Sequence, residues 1–158
     1  MLNTITINNR TYSVSIETDN YSRCPWEESD CHGAVSDWTT RNKRPGERVL
    51  CTDGSSRRYY DVQTSMDIAM RVWGCASRAK AAEAVASDFD YLSGWCNDKW
   101  GYVGVIVTDE EGQTDALWGI ESNSPDSYFD SVSNELANAL YHSYSIDNRF
   151  TLAMECGV

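Results

Sequence analysis

Residues 102–108 place Val103, Val105 and Val107 between Tyr102, Gly104 and Ile106, so that both alternating sets are apolar or small. Such a run predicts a strand inside a sheet, covered on both faces. Asp109-Glu110-Glu111-Gly112 follows with turn chemistry, and residues 116–120 return as the antiparallel partner. The same period of two recurs at the start of the chain. Ile5 and Ile7 lie on one arm, Tyr12, Val14 and Ile16 on the other, and Asn8-Asn9-Arg10 forms the turn between them. Residues 48–52 and 57–62, joined by Asp53-Gly54-Ser55-Ser56, predict a further hairpin.

Three stretches switch to helical spacing. Residues 64–73 carry Met66, Ala69, Met70 and Trp73 on one stripe behind Thr64-Ser65-Met66-Asp67, which resembles a capping box, and Gly74 closes the helix. Ser77 is placed to cap a second helix whose apolar stripe is Ala82, Val85, Ala86, Phe89, Leu92 and Cys96. Ser124-Pro125 opens a third, with Phe129, Val132, Leu136, Ala139 and Leu140 on its inner face. Residues 149–154 suggest a short final strand. Between 19 and 47 the periodicity disappears into a long irregular segment rich in Cys, Trp, Pro, Gly, Ser and charge, of the kind that is usually functional or mobile. Hairpins without βαβ units predict an α+β chain: an antiparallel sheet with about three helices packed on it, forming one domain over 1–158 around one core.

Composition adds two constraints. An apolar share of 41% with six Trp and nine Tyr is that of a folded chain. No apolar run reaches the ~18 residues of a membrane helix, and MLNTITINNR does not read as a signal peptide, so a cytoplasmic location and no membrane partner are expected. On that basis the six cysteines are expected as reduced thiols.

The net charge is −11, and it is unevenly spread. Residues 1–78 hold ten acids and ten bases, whereas 79–158 hold fourteen acids and only Lys80, Lys99 and Arg149. This asymmetry either serves solubility or steers a basic partner to one side.

Candidate chemistry is sparse. Cys24, Cys31, His32 and Cys51 lack the paired spacing of a zinc site and are expected as buried thiols and a histidine without metal. Asp109, Glu110, Glu111 and Asp115 lack the ligand alternation of a calcium loop. His32 and His142 are the only histidines. No nucleophile motif or phosphate-binding glycine pattern accompanies them, and His142 suits a helix C-terminus. No catalytic residue and no cofactor is therefore expected. The basic residues 41–48 with Arg57 and Arg58, near Trp38, Tyr59 and Tyr60, are the one nucleic-acid-like feature. The acidic total argues against direct nucleic-acid binding and for pairing with the acidic half.

VSDWTTRNKRPGERVL (35–50), RRYYDVQTSMDIAMRVWGC (57–75), DFDYLSGWCNDKWGYVGVIVT (88–108) and LWGIES (117–122) together resemble a family of small acidic phage and prophage proteins. The resemblance carries over no site residues. Its setting is similar to that of phage anti-defence proteins of the anti-CRISPR and antirestriction kinds. It implies an inhibitor of host defence that is not an enzyme and that binds a basic, nucleic-acid-handling host protein. Duplex DNA presents about one negative charge per 1.7 Å of axis, which an acidic surface can imitate. The candidate contacts are Glu83, Asp88, Asp90, Asp109, Glu110, Glu111, Asp115, Glu121, Asp126, Asp130 and Glu135. The competing readings are a phage enzyme or nucleotide-handling protein with its site in the 19–47 loop, and an accessory protein whose charge serves solubility alone.

Overall fold

The computed structural model describes residues 3–28 and 31–155, with side chains placed for residues 4–28 and 31–146. The elements run β1 (Asn3–Ile7), β2 (Arg10–Thr18), α1 (Pro25–Glu28), β3 (Ala34–Val35), β4 (Glu47–Asp53), β5 (Ser56–Asp61), α2 (Val62–Arg71), α3 (Arg78–Cys96), β6 (Tyr102–Thr108), β7 (Thr114–Glu121) and α4 (Asp126–Glu155). This is the α+β class that the hairpin pattern predicts. The hairpins do not share one sheet, however. They form a four-stranded antiparallel sheet ordered β1-β2-β6-β7 and a three-stranded one ordered β3-β5-β4. The chain divides accordingly into two compact units, Met1–Ser22 with Gly101–Val158 (unit 1) and Arg23–Trp100 (unit 2). Each has its own buried cluster, in place of the single core expected.

In unit 1 the β1–β2 turn is made by Asn8 and Asn9, both at positive φ (47° and 67°), a conformation that Asn tolerates and that matches the twist of a two-residue hairpin. Val14 pairs with Val107 and Ile16 with Val105, which aligns the apolar alternation of both strands on one sheet face. Helix α4 covers that face, burying Tyr12, Val14, Val105, Val107, Ile120, Val132 and Ala137 together. Strand β6 is central, as expected, but α4 covers only one of its faces. Ser13, Ser15, Thr108 and Ile106 share the other with Trp118, whose ring lies over Gly104, where a Cβ would overlap it. One extra residue on β7 between the Val103 and Val105 pairs forms a bulge, with Gly119 at φ +77° taking the backbone kink. Residues 149–154 continue α4 rather than forming a strand.

In unit 2 a bulge at Val49/Cys51 turns consecutive Leu50 and Cys51 inward. Helix α2 is capped by the Asp61 carboxylate, which accepts from Thr64 N, and not by Thr64 itself. Ser77 caps α3 as expected, by accepting from Lys80 N. The buried stripe of α3 is Ala81, Val85, Phe89 and Leu92, so Ala82 and Ala86 face solvent. At its end Gly94 makes room for the Trp100 ring, and Trp100 Nε1 donates to Tyr91 O.

Candidate functional site

The two units divide the charge about as unevenly as the sequence halves do, but along different lines. Unit 1 holds twelve carboxylates against Arg10 and Arg149, a net of −10; unit 2 holds twelve against eleven bases, a net of −1. Glu17 and Asp19, in the neutral half of the sequence, fold into the acidic unit. Glu83, Asp88 and Asp90 fold into the other.

The eleven sequence candidates therefore do not form one group. Glu83, Asp88 and Asp90 lie on α3, where Glu83 is paired with Lys80 at 2.7 Å. The remaining eight lie in unit 1. Glu110, Glu111, Asp126, Asp130 and Glu135 are exposed, and Asp115 and Glu121 are half-buried.

Asp88 and Asp109 differ from the expectation, because Asp109 is buried, Asp88 is half-buried, and both are occupied. Asp109 Oδ1 accepts from Glu111 N at 2.9 Å and Gln113 N at 2.8 Å, closing the β6–β7 turn. Its Oδ2 lies 3.5 Å from the Arg10 guanidinium, whose side chain is also largely buried and sits over the Tyr144 ring. The adjacent carboxylates complete this lock: Glu111 takes Arg10 Nη2 at 3.2 Å and Glu110 takes Thr11 N at 3.0 Å. An acidic turn that reads as a solvated loop thus clamps the first hairpin to the central one, and it neutralises Arg10.

Asp88 is the centre of a polar cluster inside unit 2. Its Oδ1 meets His32 Nδ1 at 2.7 Å, and its Oδ2 accepts from Gly33 N at 2.8 Å and Tyr60 Oη at 2.7 Å. With Nδ1 donating to the carboxylate, a neutral His32 ring keeps Nε2 as its acceptor, and the ring stacks on Tyr91 at 5.5 Å. Burial first, and then the Asp88 carboxylate, push the Tyr60 phenol well above its ordinary value. Gly33 is required here because a Cβ would overlap Tyr60 Oη and Ser65 Oγ. The partners come from positions 32, 33, 60 and 88, and no spacing in the sequence announces them.

The basic segment is also absorbed locally, and not by the acidic half. Arg41 binds Glu47 through both terminal nitrogens, Arg44 N donates to the same carboxylate, and Lys43 Nζ donates to Glu47 O. The Arg41 guanidinium, helped by the Arg44 backbone N–H, holds Glu47 down to about 2, well below its ordinary 4.5. Arg48 stacks on Phe89, and Arg58 sits between Trp26 and Trp38.

Cys51 and Cys96 form a disulfide between β4 and the end of α3, which corrects the expectation that all six thiols are reduced. Cys24 and Cys75 are free thiols, Cys31 is exposed, and Cys156 lies outside the described residues. The residues weighed as zinc ligands are thereby separated, with Cys51 bonded to Cys96 and His32 committed to Asp88.

Unit 1 also has an open pocket of about 420 Å³, lined by Ile16, Val103, Ser122, Asp126, Phe129 and Asp130. It marks the end of the sheet face that α4 covers. Tyr12 and Val14 are buried beneath the helix, but Ile16, next on the same face, is 54% exposed. Among the described residues no helix is long and apolar enough to cross a membrane. No family model, curated protein or solved structure matches the chain.

Proposed function

We propose that this protein is a phage-encoded inhibitor of a host defence system, of the anti-CRISPR or antirestriction type. It acts without catalysis or a cofactor by binding a basic, nucleic-acid-handling host protein. The observation that carries this reading is the charge of unit 1. Its twelve carboxylates face two arginines, and one of these, Arg10, is spent on Asp109 and Glu111. A surface of one sign raises the local concentration of an oppositely charged partner and accelerates its docking. Exposed Glu110, Asp126, Asp130 and Glu135 are the contacts this reading retains, together with the outer part of Glu111. Asp88 and Asp109 act instead as internal supports. Capture from host lysate on the immobilised chain tests the reading. A basic nucleic-acid-handling protein, released by salt and lost when the unit 1 carboxylates are neutralised, is the expected result. Recovery of no such protein overturns it.

The His32–Asp88 pair favours a second reading, an enzyme whose site includes the 19–47 segment. A carboxylate that fixes Nδ1 and leaves Nε2 open is how a general base is oriented. Under this reading the purified chain turns over a substrate and His32→Gln abolishes that turnover. Under the first it does not alter inhibition.

A further inference from the structure

The open pocket of unit 1 combines two kinds of surface that rarely serve the same occupant. Its lining includes apolar Ile16, Val103 and Phe129 together with the exposed acids Asp126 and Asp130. The two acids are one turn apart on α4, about 6 Å along the axis. Among the described residues neither carboxylate is paired with a cation, whereas the acids of the β6–β7 turn are tied to the first hairpin. The pocket lies at the first turns of α4, where Val103 and Phe129 border the core cluster, and there Ile16 is left exposed while Val14, two residues before it on the same face, is buried. The volume falls within the range of ligand pockets, about 300–1,000 Å³.

An occupant must be cationic at one end and aliphatic along its length. Arginine and lysine side chains have that build, with a methylene stem that covers apolar surface while the charged head stays at the rim. Arginine fits better, because its planar fork can serve two carboxylates at once and is more weakly hydrated than an ammonium. We propose that this pocket receives an arginine side chain projecting from the basic partner, with its stem on Ile16, Val103 and Phe129 and its guanidinium between Asp126 and Asp130. The inference rests on the reading of unit 1 as a binder of basic protein, and it narrows the acidic surface to one anchoring point.

The test is a titration of the full isotope-labelled chain, followed by amide chemical shifts, with two peptides of one sequence that carry a single central arginine or the neutral isostere citrulline. An oligoarginine peptide is titrated in parallel. The arginine peptide is expected to shift residues around 16, 103, 122 and 126–130, and citrulline is expected to bind about tenfold more weakly, the equivalent of one lost charge-assisted contact. Asp126→Asn with Asp130→Asn should weaken the arginine peptide by at least that factor. Glu135→Gln, on the same helix but outside the pocket, should change it less than twofold. Retained spectral dispersion shows that each variant is folded. Shifts scattered over all exposed acids, or equal affinity for citrulline, overturn the pocket. If oligoarginine still binds in a salt-sensitive way in that case, the acidic-surface reading survives. If oligoarginine does not bind at all, that reading falls with the pocket.

Discussion

Neutralising the β6–β7 turn should damage folding before it damages any surface. Asp109 is only 9% exposed, and its carboxylate closes the turn through two backbone N–H donors while pairing with the largely buried Arg10. In Asp109→Ala both donors lose their acceptor and Arg10 keeps only the half-exposed Glu111. Each unsatisfied part-buried donor costs about 1 kcal/mol, and breaking a buried charge pair costs more, although here water and Glu111 recover part of it. A loss of about 2–4 kcal/mol follows. Asp109→Asn keeps an acceptor for the two amides and loses the charge, so about 1–2 kcal/mol is expected. Glu110→Gln, exposed and still able to accept from Thr11 N, should stay within about 0.5 kcal/mol. Urea unfolding followed by far-ultraviolet circular dichroism measures all three. With slopes of about 1–3 kcal/mol per molar urea, the alanine variant should lower the midpoint by about 1 M or more. If both Asp109 variants unfold with the midpoint of the parent, the turn is an ordinary solvated loop and the lock is wrong.

Three further outcomes follow from unit 2. Cys51 and Cys96 should resist alkylation in the native oxidised protein and become reactive after reduction. Loss of the bridge, which spans 45 residues of sequence, should cost about 4 kcal/mol on chain-entropy grounds, and alkylation of both thiols before reduction would refute the pairing. Because Glu47 is held near 2 in the folded state against an ordinary 4.5, its contribution is complete above about 4.5 and is lost as pH falls toward 2; acid unfolding of Glu47→Gln should lack that component, and an unchanged acid profile would refute it. Gly33→Ala should destabilise more than Gly104→Ala, as read by thermal unfolding, because Tyr60 and Ser65 are fully buried whereas Trp118 is 46% exposed and can swing away.

Elements whose signal is local were legible in the sequence. The alternation of Tyr12, Val14 and Ile16 located β2 and its inward face, Ser77 located the start of α3, and Gly74, at φ +71°, located the stop after α2. What could not be read depended on distant partners. Nothing near Asp109 announces Arg10, 99 residues earlier, and nothing near Asp88 announces His32 and Tyr60, so two internally paired carboxylates were counted as surface charge. The division into two sheets was hidden for the same reason. Pairing of β2 with β6 joins residues about 90 apart, and only that pairing places residues 1–22 in the acidic unit. Cys51 reads as a lone thiol until the β4 bulge turns it toward Cys96. The pocket was half legible, since Ile16 and Phe129 were assigned inward faces, but where α4 stops covering the sheet is decided by packing.

The central claim, that unit 1 is the face that meets a basic partner, is tested most directly by measuring association rates at low and high salt for two triple variants of equal charge change. Asp126→Asn, Asp130→Asn and Glu135→Gln neutralise exposed acids of unit 1; Asp37→Asn, Asp53→Asn and Asp67→Asn neutralise exposed acids of unit 2. Stopped-flow mixing with the captured basic protein should show an on-rate that falls steeply with salt for the parent and for the unit 2 variant. For the unit 1 variant it should be slower by about tenfold at low salt and fall less steeply with salt, because three of the exposed acids are gone. Equal rates and equal salt slopes for the two variants would contradict the account, because the binding would then follow total charge and not the unit that carries it.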